Sequence, residues 1–193
     1  MSQVFIMLVG FSQSGKSTLS EKIQEAFPNK FIRIDPDSIH VFLNKTFPIF
    51  QDDNTIQGKS FALRQKATEV IKNTLCDVLL KEGYSIILDS CNLVRTERKA
   101  LLTKAKKINK DISTIILDVQ IPEAQLYKRL RDADQRNVEK GEKPAWIDLY
   151  EKIQKNKLVT PQETEGDYFL IYSGKNLQTV LDNIVRIGQT KRF

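Results

Sequence analysis

The sequence contains little cysteine and little histidine. It has two cysteines and one histidine in 193 residues. Cys76 and Cys91 do not have the spacing of paired metal ligands, which excludes the common zinc-binding patterns, and thiols without a disulfide role are typical of a reducing compartment. We therefore expect neither a structural metal site nor a disulfide scaffold, and we expect a cytoplasmic protein.

Long apolar runs, internal repeats and low-complexity tracts are also missing. The longest apolar run, residues 4–9, is much shorter than the roughly 20 residues that a membrane-spanning helix needs. It has no basic flank and no small-residue cleavage site, so we expect neither a signal peptide nor a membrane partner. No stretch has the composition of a linker, and the length suits one domain over residues 1–193.

The charged residues show a moderate excess of positive charge. Lys and Arg together number 30, Asp and Glu number 24, and the net charge is +6. An excess of this size is compatible with a polyanionic partner such as a nucleic acid. It is also compatible with a solvated, lysine-rich surface, so both interpretations stay open.

The strongest motif of the chain lies near its N-terminus. Six apolar residues, 4–9, predict a strand that is buried on both faces, and they lead directly into Gly-x-x-x-x-Gly-Lys-Ser at residues 10–17. The glycines allow a tight turn and a close approach of the backbone to an anion, while the following helix points its positive end at the same place. The motif predicts a phosphate-binding loop.

This loop is expected to bind ATP. Lys16 is expected to reach the β- and γ-phosphates and to act in catalysis, and the hydroxyl of Ser17 is expected to bind Mg²⁺. ATP is favoured over GTP because the sequence has no Asn-Lys-x-Asp motif for guanine. The predicted ATP-binding residues are Gly10, Ser12, Gln13, Ser14, Gly15, Lys16, Ser17 and Thr18.

Predicted strands and helices alternate along the rest of the chain. The expected strands are residues 4–9, 31–34, 85–89, 112–119 and 168–172, and the expected helices are 19–27, 36–43, 59–82, 96–108, 122–136, 146–158 and 177–187. Residues 44–58 lack periodicity and are expected to form a loop. The alternation predicts an α/β protein with a parallel sheet covered on both faces and a ligand at the carboxyl ends of the strands.

The long helix predicted at residues 59–82 has a clear apolar face. Seven apolar side chains share it, and Gly83 ends the helix: Leu63, Ala67, Val70, Ile71, Leu75, Val78 and Leu79. We expect this face to pack on the sheet.

Two aspartates follow the second predicted strand. Asp35 is expected to cap the helix that starts at Pro36 and to lie at the substrate site, and Asp37 is expected to be the general base that takes a proton from an alcohol acceptor. His40 lies one turn later and is a candidate for substrate binding. The competing interpretation, that Asp37 only favours the positive end of the helix, stays open.

The third predicted strand ends in Asp89-Ser90-Cys91-Asn92. Asp89 could hold the hydration shell of Mg²⁺, and both Asp89 and Asn92 are candidates for substrate binding. A motor-type ATPase needs a glutamate directly after this aspartate to activate water, and Ser90 occupies that position. ATP hydrolysis is therefore not the expected reaction.

The helix predicted at residues 122–136 is rich in arginine. Arg129 and Arg136 are seven residues apart and so share one helical face, from which they could stabilise charge on a transferred phosphoryl group. Arg131 lies on another face. A solvated basic face is the alternative.

Five segments, in this order, resemble the polynucleotide 5′-hydroxyl kinase group and, less closely, zeta-toxin and chloramphenicol phosphotransferase kinases. They are residues 10–17, 37–40, 87–93, 129–136 and the Pro-x-x-x-Glu-Gly stretch at 161–168. The resemblance implies a three-layer P-loop NTPase fold with a five-stranded parallel sheet of adenylate-kinase type and a helical lid at about 129–160. It implies ATP and Mg²⁺ as cofactors, and it matches Asp37 to the general base, Asp89 and Asn92 to the second acidic motif, and Arg136 to the lid arginine.

The chain departs from that group at three places. His40 replaces an arginine that touches the acceptor phosphate, Cys91 replaces a threonine, and the interval between Arg129 and Arg136 is longer, which keeps Arg131 as an alternative lid residue. The expected function is transfer of the γ-phosphate of ATP to a nucleic-acid 5′-hydroxyl end, whose phosphates Arg95, Arg98 and Lys99 beside the Asp89 motif could contact. The alternatives are a small-molecule kinase and a nucleotide-binding regulatory module.

Overall fold

The computed structural model describes residues 2–50 and 59–190. Within them, five parallel strands form one sheet in the order β2-β3-β1-β4-β5. The strands are β1 (Val4–Val9), β2 (Phe31–Ile34), β3 (Ser85–Leu88), β4 (Ser113–Val119) and β5 (Tyr168–Tyr172). The five-stranded parallel sheet expected from the sequence is therefore confirmed.

Strand β1 lies at the centre of the protein because all six of its residues are apolar. Each of them is at most 1% exposed, and the strand pairs with β3 on one side and β4 on the other. Alternate side chains enter two separate cores, one with Val4, Ile6 and Leu8 and the other with Phe5, Met7 and Val9. This alternation gives a three-layer α/β architecture.

The helices follow the predicted pattern with small shifts in their ends. They are α1 (Lys16–Ala26), α2 (Pro36–Thr46), α3 (Lys59–Lys81), α4 (Arg95–Ile108), α5 (Glu123–Glu139), α6 (Trp146–Leu149), α7 (Lys155–Lys157) and α8 (Leu177–Gln189), with a π-helix at Tyr150–Gln154 and a 3₁₀ turn at Pro48–Phe50. The first core packs on α1 and α8, and the second packs on α3 and α4.

The loop predicted at residues 44–58 is wrong over its first part. Helix α2 continues to Thr46, and Phe47 N–H still bonds to the carbonyl of Leu43. A 3₁₀ turn follows at Pro48–Phe50. Residues 51–58 lie outside the described part of the chain.

Helix α3 does not bury the face that its apolar pattern predicts. Leu63, Val70, Leu75 and Val78 are exposed, and the buried residues form a stripe of different composition: Arg64, Thr68, Lys72, Cys76 and Leu80. Only the end of this stripe, Cys76 and Leu80, joins the core of the sheet. The first half of α3 instead packs beside α2, where polar groups are available as partners.

The chain from α5 to α7, which we call the α5–α7 segment, folds back on itself beside the sheet. The carboxylate of Asp134 accepts hydrogen bonds from the backbone N–H groups of residues 145–147 and so fixes the start of α6. Leu126, Leu130 and Tyr150 form its own small core. At its tip, residues 139–144 are exposed, and Gly141 has a φ of 75° with no other atoms around its Cβ position.

No helix in residues 2–50 or 59–190 is long and apolar enough to cross a membrane.

Candidate active site

The phosphate-binding loop depends on two glycines. Gly10 has a φ of 150°, and a Cβ there would lie 2.9 Å from the carbonyl oxygen of Val119. Gly15 has a φ of 106° in the left-handed region and stands at the N-cap of α1. A side chain at either position would be strained, so the loop conformation explains both glycines of the motif.

The loop has several polar groups that could bind an anion. Lys16 is buried, and its Nζ donates to the carbonyl of Phe11 at 2.5 Å. The Oγ of Ser14 is buried without a hydrogen-bond partner among the residues described. Ser17 and Thr18 are exposed at the first turn of α1, whose positive end faces the loop. An orphaned hydroxyl, a cation and a helix N-terminus fit a nucleotide phosphate.

The hydroxyl of Ser17, exposed on the first turn of α1, remains the predicted protein ligand of Mg²⁺. The described residues contain no cluster of three or more His, Cys, Asp or Glu side chains that could hold a metal ion. A Mg²⁺ ion bound with a nucleotide does not need such a cluster, since it usually keeps several waters and binds to phosphates through one or two protein oxygens. The Oδ2 of Asp89 is already bonded by the Oγ of Ser20 at 2.9 Å and by Arg33, so a contact through water remains the prediction for Asp89.

Arg33 is a site residue that the sequence analysis missed. Its guanidinium contacts Asp89 Oδ2 at 2.7 Å, Glu21 Oε1 at 3.1 Å and Asp35 Oδ2 at 3.6 Å. It therefore holds the acidic residues after β2 and β3 together. The signal that could have identified it is a single charge within the otherwise apolar strand β2.

Asp35 and Asp37 have different surroundings. Asp35 caps α2, as predicted, because its Oδ1 accepts from Asp37 N–H at 3.0 Å and its Oδ2 accepts from Ser38 Oγ at 2.6 Å. Asp37 is exposed on the first turn of α2, yet nearby protein displaces water and raises its pKa. The charges of Asp35 and Asp89 raise this pKa further, while Lys16 and Arg33 lower it. The structure thus brings Asp37 into the field of the loop lysine.

His40 lies against an arginine from another helix. Its Nε2 accepts a hydrogen bond from Arg64 Nε at 2.6 Å, and Arg64 also donates to Asn44 at 2.7 Å and to the carbonyl of Phe50 at 2.6 Å. Burial and the charge of Arg64 lower the pKa of His40, so the imidazole is neutral at pH 7. Although His40 replaces the arginine expected from the resemblance, a guanidinium is still present at this place, because Arg64 of α3 supplies it.

Asn92 has a structural contact in this site. Its φ is 46°, and its Nδ2 donates to the carbonyl of Leu8 at 2.7 Å and to that of Ser90 at 3.2 Å. The amide nitrogen is thus occupied in joining the segment after β3 to β1. Only the oxygen of Asn92 is left for the predicted contact with a substrate.

Of the arginines on α5, Arg129 touches the phosphate-binding loop. Its Nη1 donates to the carbonyls of Gln13 at 3.2 Å and Ser14 at 3.1 Å. Arg136 is on the same face about 10 Å further along the helix, since each residue advances an α-helix by about 1.5 Å. Arg136 and Arg131 are both exposed. The structure brings Arg129 to the loop and leaves the other two away from it.

A second missed residue, Gln154, also contacts the loop. Its Nε2 donates to Ser12 Oγ at 2.7 Å, and its Oε1 accepts from Ser12 N–H at 3.0 Å. Nearby, the rings of Phe11 and Tyr150 meet edge to face with centroids 5.0 Å apart. Gln154 ends the π-helix Tyr150–Gln154, and no pattern in the sequence announces a π-turn.

Arg98, which the sequence offers as a contact for nucleic-acid phosphates, is unsuitable for that role. Its side chain is fully buried and binds Glu165 in a bidentate ion pair at 2.7 and 2.9 Å. It also donates to the carbonyls of Asn92, Leu93 and Val159. The Pro-x-x-x-Glu-Gly stretch therefore anchors the end of the α5–α7 segment to α4.

Sequence comparison assigns the family of this chain. The AAA domain family (AAA_33), a family of P-loop kinases, matches residues 5–146, which include the loop, the acidic residues and the arginine helix. The chain belongs to this family. No curated protein matches the sequence significantly.

Solved structures share the fold at low sequence identity. A predicted kinase from Chloroflexus aurantiacus J-10-fl has a TM-score of 0.73 and 13% identity over 99% of this chain and 98% of its own. A structure from the PezAT toxin–antitoxin system of Streptococcus pneumoniae has a TM-score of 0.63 and 14% identity over 97% and 85%. A chain of the Pnkp1/Rnl/Hen1 complex has a TM-score of 0.51 and 19% identity over 66% of this chain and 39% of its own. These likenesses show a P-loop fold with kinase-like neighbours.

Proposed function

We propose that this protein is an ATP-dependent phosphotransferase that moves the γ-phosphoryl group to a hydroxyl. The observation that carries the proposal is the position of Asp37, an exposed carboxylate with a raised pKa in the field of the loop lysine Lys16. A carboxylate whose pKa is moved towards neutrality is a better base for an alcohol proton than an ordinary one. A protein that only binds ATP does not need such a group near the lysine of its phosphate-binding loop.

The proposed reaction moves one proton and one phosphoryl group. The acceptor hydroxyl gives its proton to Asp37 as its oxygen bonds to the γ-phosphorus, and the bond from that phosphorus to the β–γ bridging oxygen breaks to release ADP. Lys16 and the loop N–H groups hold the phosphates in line. Ser17, and Asp89 through water, would hold Mg²⁺, which would supply neutralisation of charge on the phosphate oxygens.

Two of the three arginines of α5, Arg129 and Arg136, have separate roles in this proposal. Arg129 supports the loop, since it donates to the carbonyls of Gln13 and Ser14. Arg136 reaches the transferred phosphoryl group only when the α5–α7 segment, which we propose as the lid, closes over the nucleotide. Charge that develops in the transition state would then meet a guanidinium in a site from which water is excluded.

Two acceptor classes have support. A nucleic-acid 5′-hydroxyl end is favoured by the net charge of +6, by the motif order and by the likeness to a chain of the Pnkp1/Rnl/Hen1 complex. A small hydroxyl-bearing molecule is favoured by the burial of Arg98, which removes a cation from the surface beside Asp89. The two free cysteines and the use of ATP favour action in the cytoplasm.

The decisive experiment is transfer of radiolabel from γ-labelled ATP to a panel of 5′-hydroxyl oligonucleotides, nucleosides and sugars. Product with the wild-type protein and its loss in Lys16→Ala, with the fold retained, would support a kinase. ATP binding without any labelled product would instead support the regulatory module.

Salt dependence separates the two acceptor classes. Binding to a single strand through about three phosphate contacts should weaken with salt with a log–log slope near −2, since each contact contributes roughly −0.7. A neutral small acceptor should show almost no slope. Steep salt dependence together with a labelled strand would establish the 5′-end reaction.

A further inference from the structure

A groove of about 330 Å³ lies between α3 and α4. Its inner end is formed by Ser90 and Asn92, directly after the strand β3 that leads to Asp89. Helix α4 starts at the carboxyl edge of the sheet, where β3 ends, and α3 leads into the amino end of β3, so both helices run down the same face. The groove therefore opens at the edge that carries the acidic residues of the site.

The wall that α3 contributes is polar where a core helix would be apolar. Thr68 and Lys72 belong to the buried stripe of α3, while Val70 between them is exposed. Burying polar side chains in place of available apolar ones costs stability unless they find partners. Departures of this kind from amphipathic patterning concentrate at functional sites.

The cations of the groove are already neutralised by carboxylates. Both oxygens of Glu69 lie 2.6 Å from Lys72 Nζ, and Asp77 lies 2.6 Å from Lys104 Nζ. Glu97 adds a further carboxylate to the lining. A phosphodiester strand would meet paired cations and an excess of acid here, so the charges favour a neutral ligand.

One buried acceptor in the groove lacks a donor. Asn73 donates from Nδ2 to Glu69 at 3.1 Å, but its Oδ1 is buried without a hydrogen-bond partner among the residues described. A buried carbonyl oxygen without a donor is unfavourable, and a ligand hydroxyl would supply the missing hydrogen bond. Ala100 and Leu101 supply a small apolar wall opposite.

We infer that this groove binds the phosphoryl acceptor and that the acceptor is a small, neutral, hydroxyl-rich molecule such as a sugar or polyol. Carboxylates and the Asn73 carbonyl accept its hydroxyl hydrogens, and the apolar wall contacts its carbon face. The hydroxyl that binds at Ser90 then lies at the end of the groove nearest the phosphate-binding loop, because the carbonyl of the adjacent Cys91 accepts from Gly10 N–H at 3.1 Å. The inference rests on the proposed phosphotransfer function and names its substrate class.

Binding is tested first, without turnover. Calorimetric titration of the wild-type protein with a panel of neutral sugars and polyols, in the presence of a non-hydrolysable ATP analogue, should identify at least one ligand. Asn73→Ala and Glu97→Gln should each weaken its binding about tenfold or more, with unchanged affinity for the analogue. Thr74→Ala, an exposed neighbour on α3, is the matched control and should bind normally. No binding by any member of the panel would overturn the inference.

Transfer assays separate failure of the groove from failure of the proposed function. A raised KM for the sugar in Asn73→Ala, with unchanged KM for ATP and unchanged melting temperature, supports both the acceptor site in the groove and the kinase function. A labelled oligonucleotide whose KM is the same in wild type, Asn73→Ala and Glu97→Gln would keep the kinase and overturn the groove. Sugar binding that depends on Asn73 without labelling of any acceptor would keep the groove and overturn the kinase. Glu97 is exposed, so its variant answers the question even if Asn73→Ala is unstable.

Discussion

Gln154 holds the backbone and the side chain of Ser12 at once, with its amide oxygen 3.0 Å from Ser12 N and its amide nitrogen 2.7 Å from Ser12 Oγ. The backbone N–H of Ser12 can donate only to an oxygen, so this contact identifies which end of the Gln154 side-chain amide is the oxygen. Because Nε2 donates to Ser12 Oγ, the hydroxyl hydrogen of Ser12 must point elsewhere. The contact therefore couples the α5–α7 segment to the third residue of the phosphate-binding loop.

Replacing Gln154 should uncouple this segment from the loop. Two hydrogen bonds of ordinary strength are lost in Gln154→Ala, so we expect the transfer rate to fall about tenfold with a smaller change in ATP affinity. Trp146 is the single tryptophan and starts α6, so its fluorescence reports on the segment. The ATP-dependent fluorescence change should shrink in Gln154→Ala and persist in Gln135→Ala, whose side chain is exposed on α5. Equal behaviour of the two variants would disprove the coupling.

Asp37→Asn should keep ATP affinity and lower the transfer rate on the order of a hundredfold or more, the scale of a lost general base. Asp35→Asn should cost less, since asparagine also caps a helix. Transfer rates and dissociation constants for ATP, measured for both variants, test this difference. Similar rate losses in the two variants would show that Asp37 is not the general base.

The raised pKa of Asp37 also predicts how the rate and the stability depend on pH. A base works when deprotonated, so the rate should fall as the pH drops through this pKa, which burial and the neighbouring carboxylates raise above the ordinary value of an aspartate. The charged form of Asp37 is disfavoured in the folded state. Asp37→Asn should therefore slightly raise the melting temperature at pH 7 and have no such effect at a pH below the ordinary aspartate range.

Arg136→Ala should lower the transfer rate roughly a hundredfold with little change in ATP affinity, because its charge is needed only in the transition state. Arg131→Ala is the control and should be nearly silent. Arg129→Ala should weaken ATP binding as well, since Arg129 supports the loop carbonyls. A larger rate loss in Arg131→Ala would move the lid role to that residue.

Glu165→Gln should strongly destabilise the fold, because it leaves Arg98 buried without its counter-charge. Breaking a buried pair costs about 3–5 kcal/mol, which corresponds to a drop of roughly 10 °C in melting temperature for a chain of this size. The exposed Glu163→Gln should have almost no effect, and a similar drop in both would contradict the role of the pair.

The ion pair between Arg98 and Glu165 also makes the stability of the fold depend on pH in the acid range. Burial alone would raise the pKa of Glu165, but hydrogen bonds from Arg98 and Gln162 and the charges of Arg98 and Arg95 hold it below its ordinary value. Its contribution to stability is therefore full above that ordinary value and is lost as the pH falls through the lowered pKa.

The two cysteines should differ in reactivity. Burial raises the pKa of Cys76 to about 11, so this thiol should resist alkylation until the protein unfolds. Cys91 is partly exposed, and its carbonyl accepts from Gly10 N–H in the loop. Mass spectrometry after brief alkylation should show modified Cys91, and ATP should slow that modification. Faster labelling of Cys76 would contradict the structure.

The sheet could be predicted from the sequence because its strands are nearly uniform apolar segments with few alternatives. Strands β1, β2 and β5 begin and end where their apolar patterns predict, and the glycines of the loop follow from a motif whose spacing is dictated by the backbone. For α3, the apolar pattern predicts the wrong buried face. An amphipathic pattern does not reveal that half of this helix lines a polar groove.

Site residues that act through tertiary contact were beyond the sequence. Arg33 looked like an isolated charge on a strand, and Gln154 depends on a π-turn that brings residues 142 positions apart into contact. Arg98 was assigned to the surface because basic residues are usually exposed, but its partner Glu165 is 67 positions away along the chain. Local patterns carry no information about such partners.

The exposed tip of the α5–α7 segment makes the protein suitable for engineering. Residues 139–144 are exposed, and Gly141 has open space around it. A peptide tag or a second domain inserted at this turn would replace no buried contact of those residues. If the segment closes over the nucleotide as proposed, labels on the inserted domain and on the sheet would change their distance when the ligand binds, and the fusion would act as a sensor.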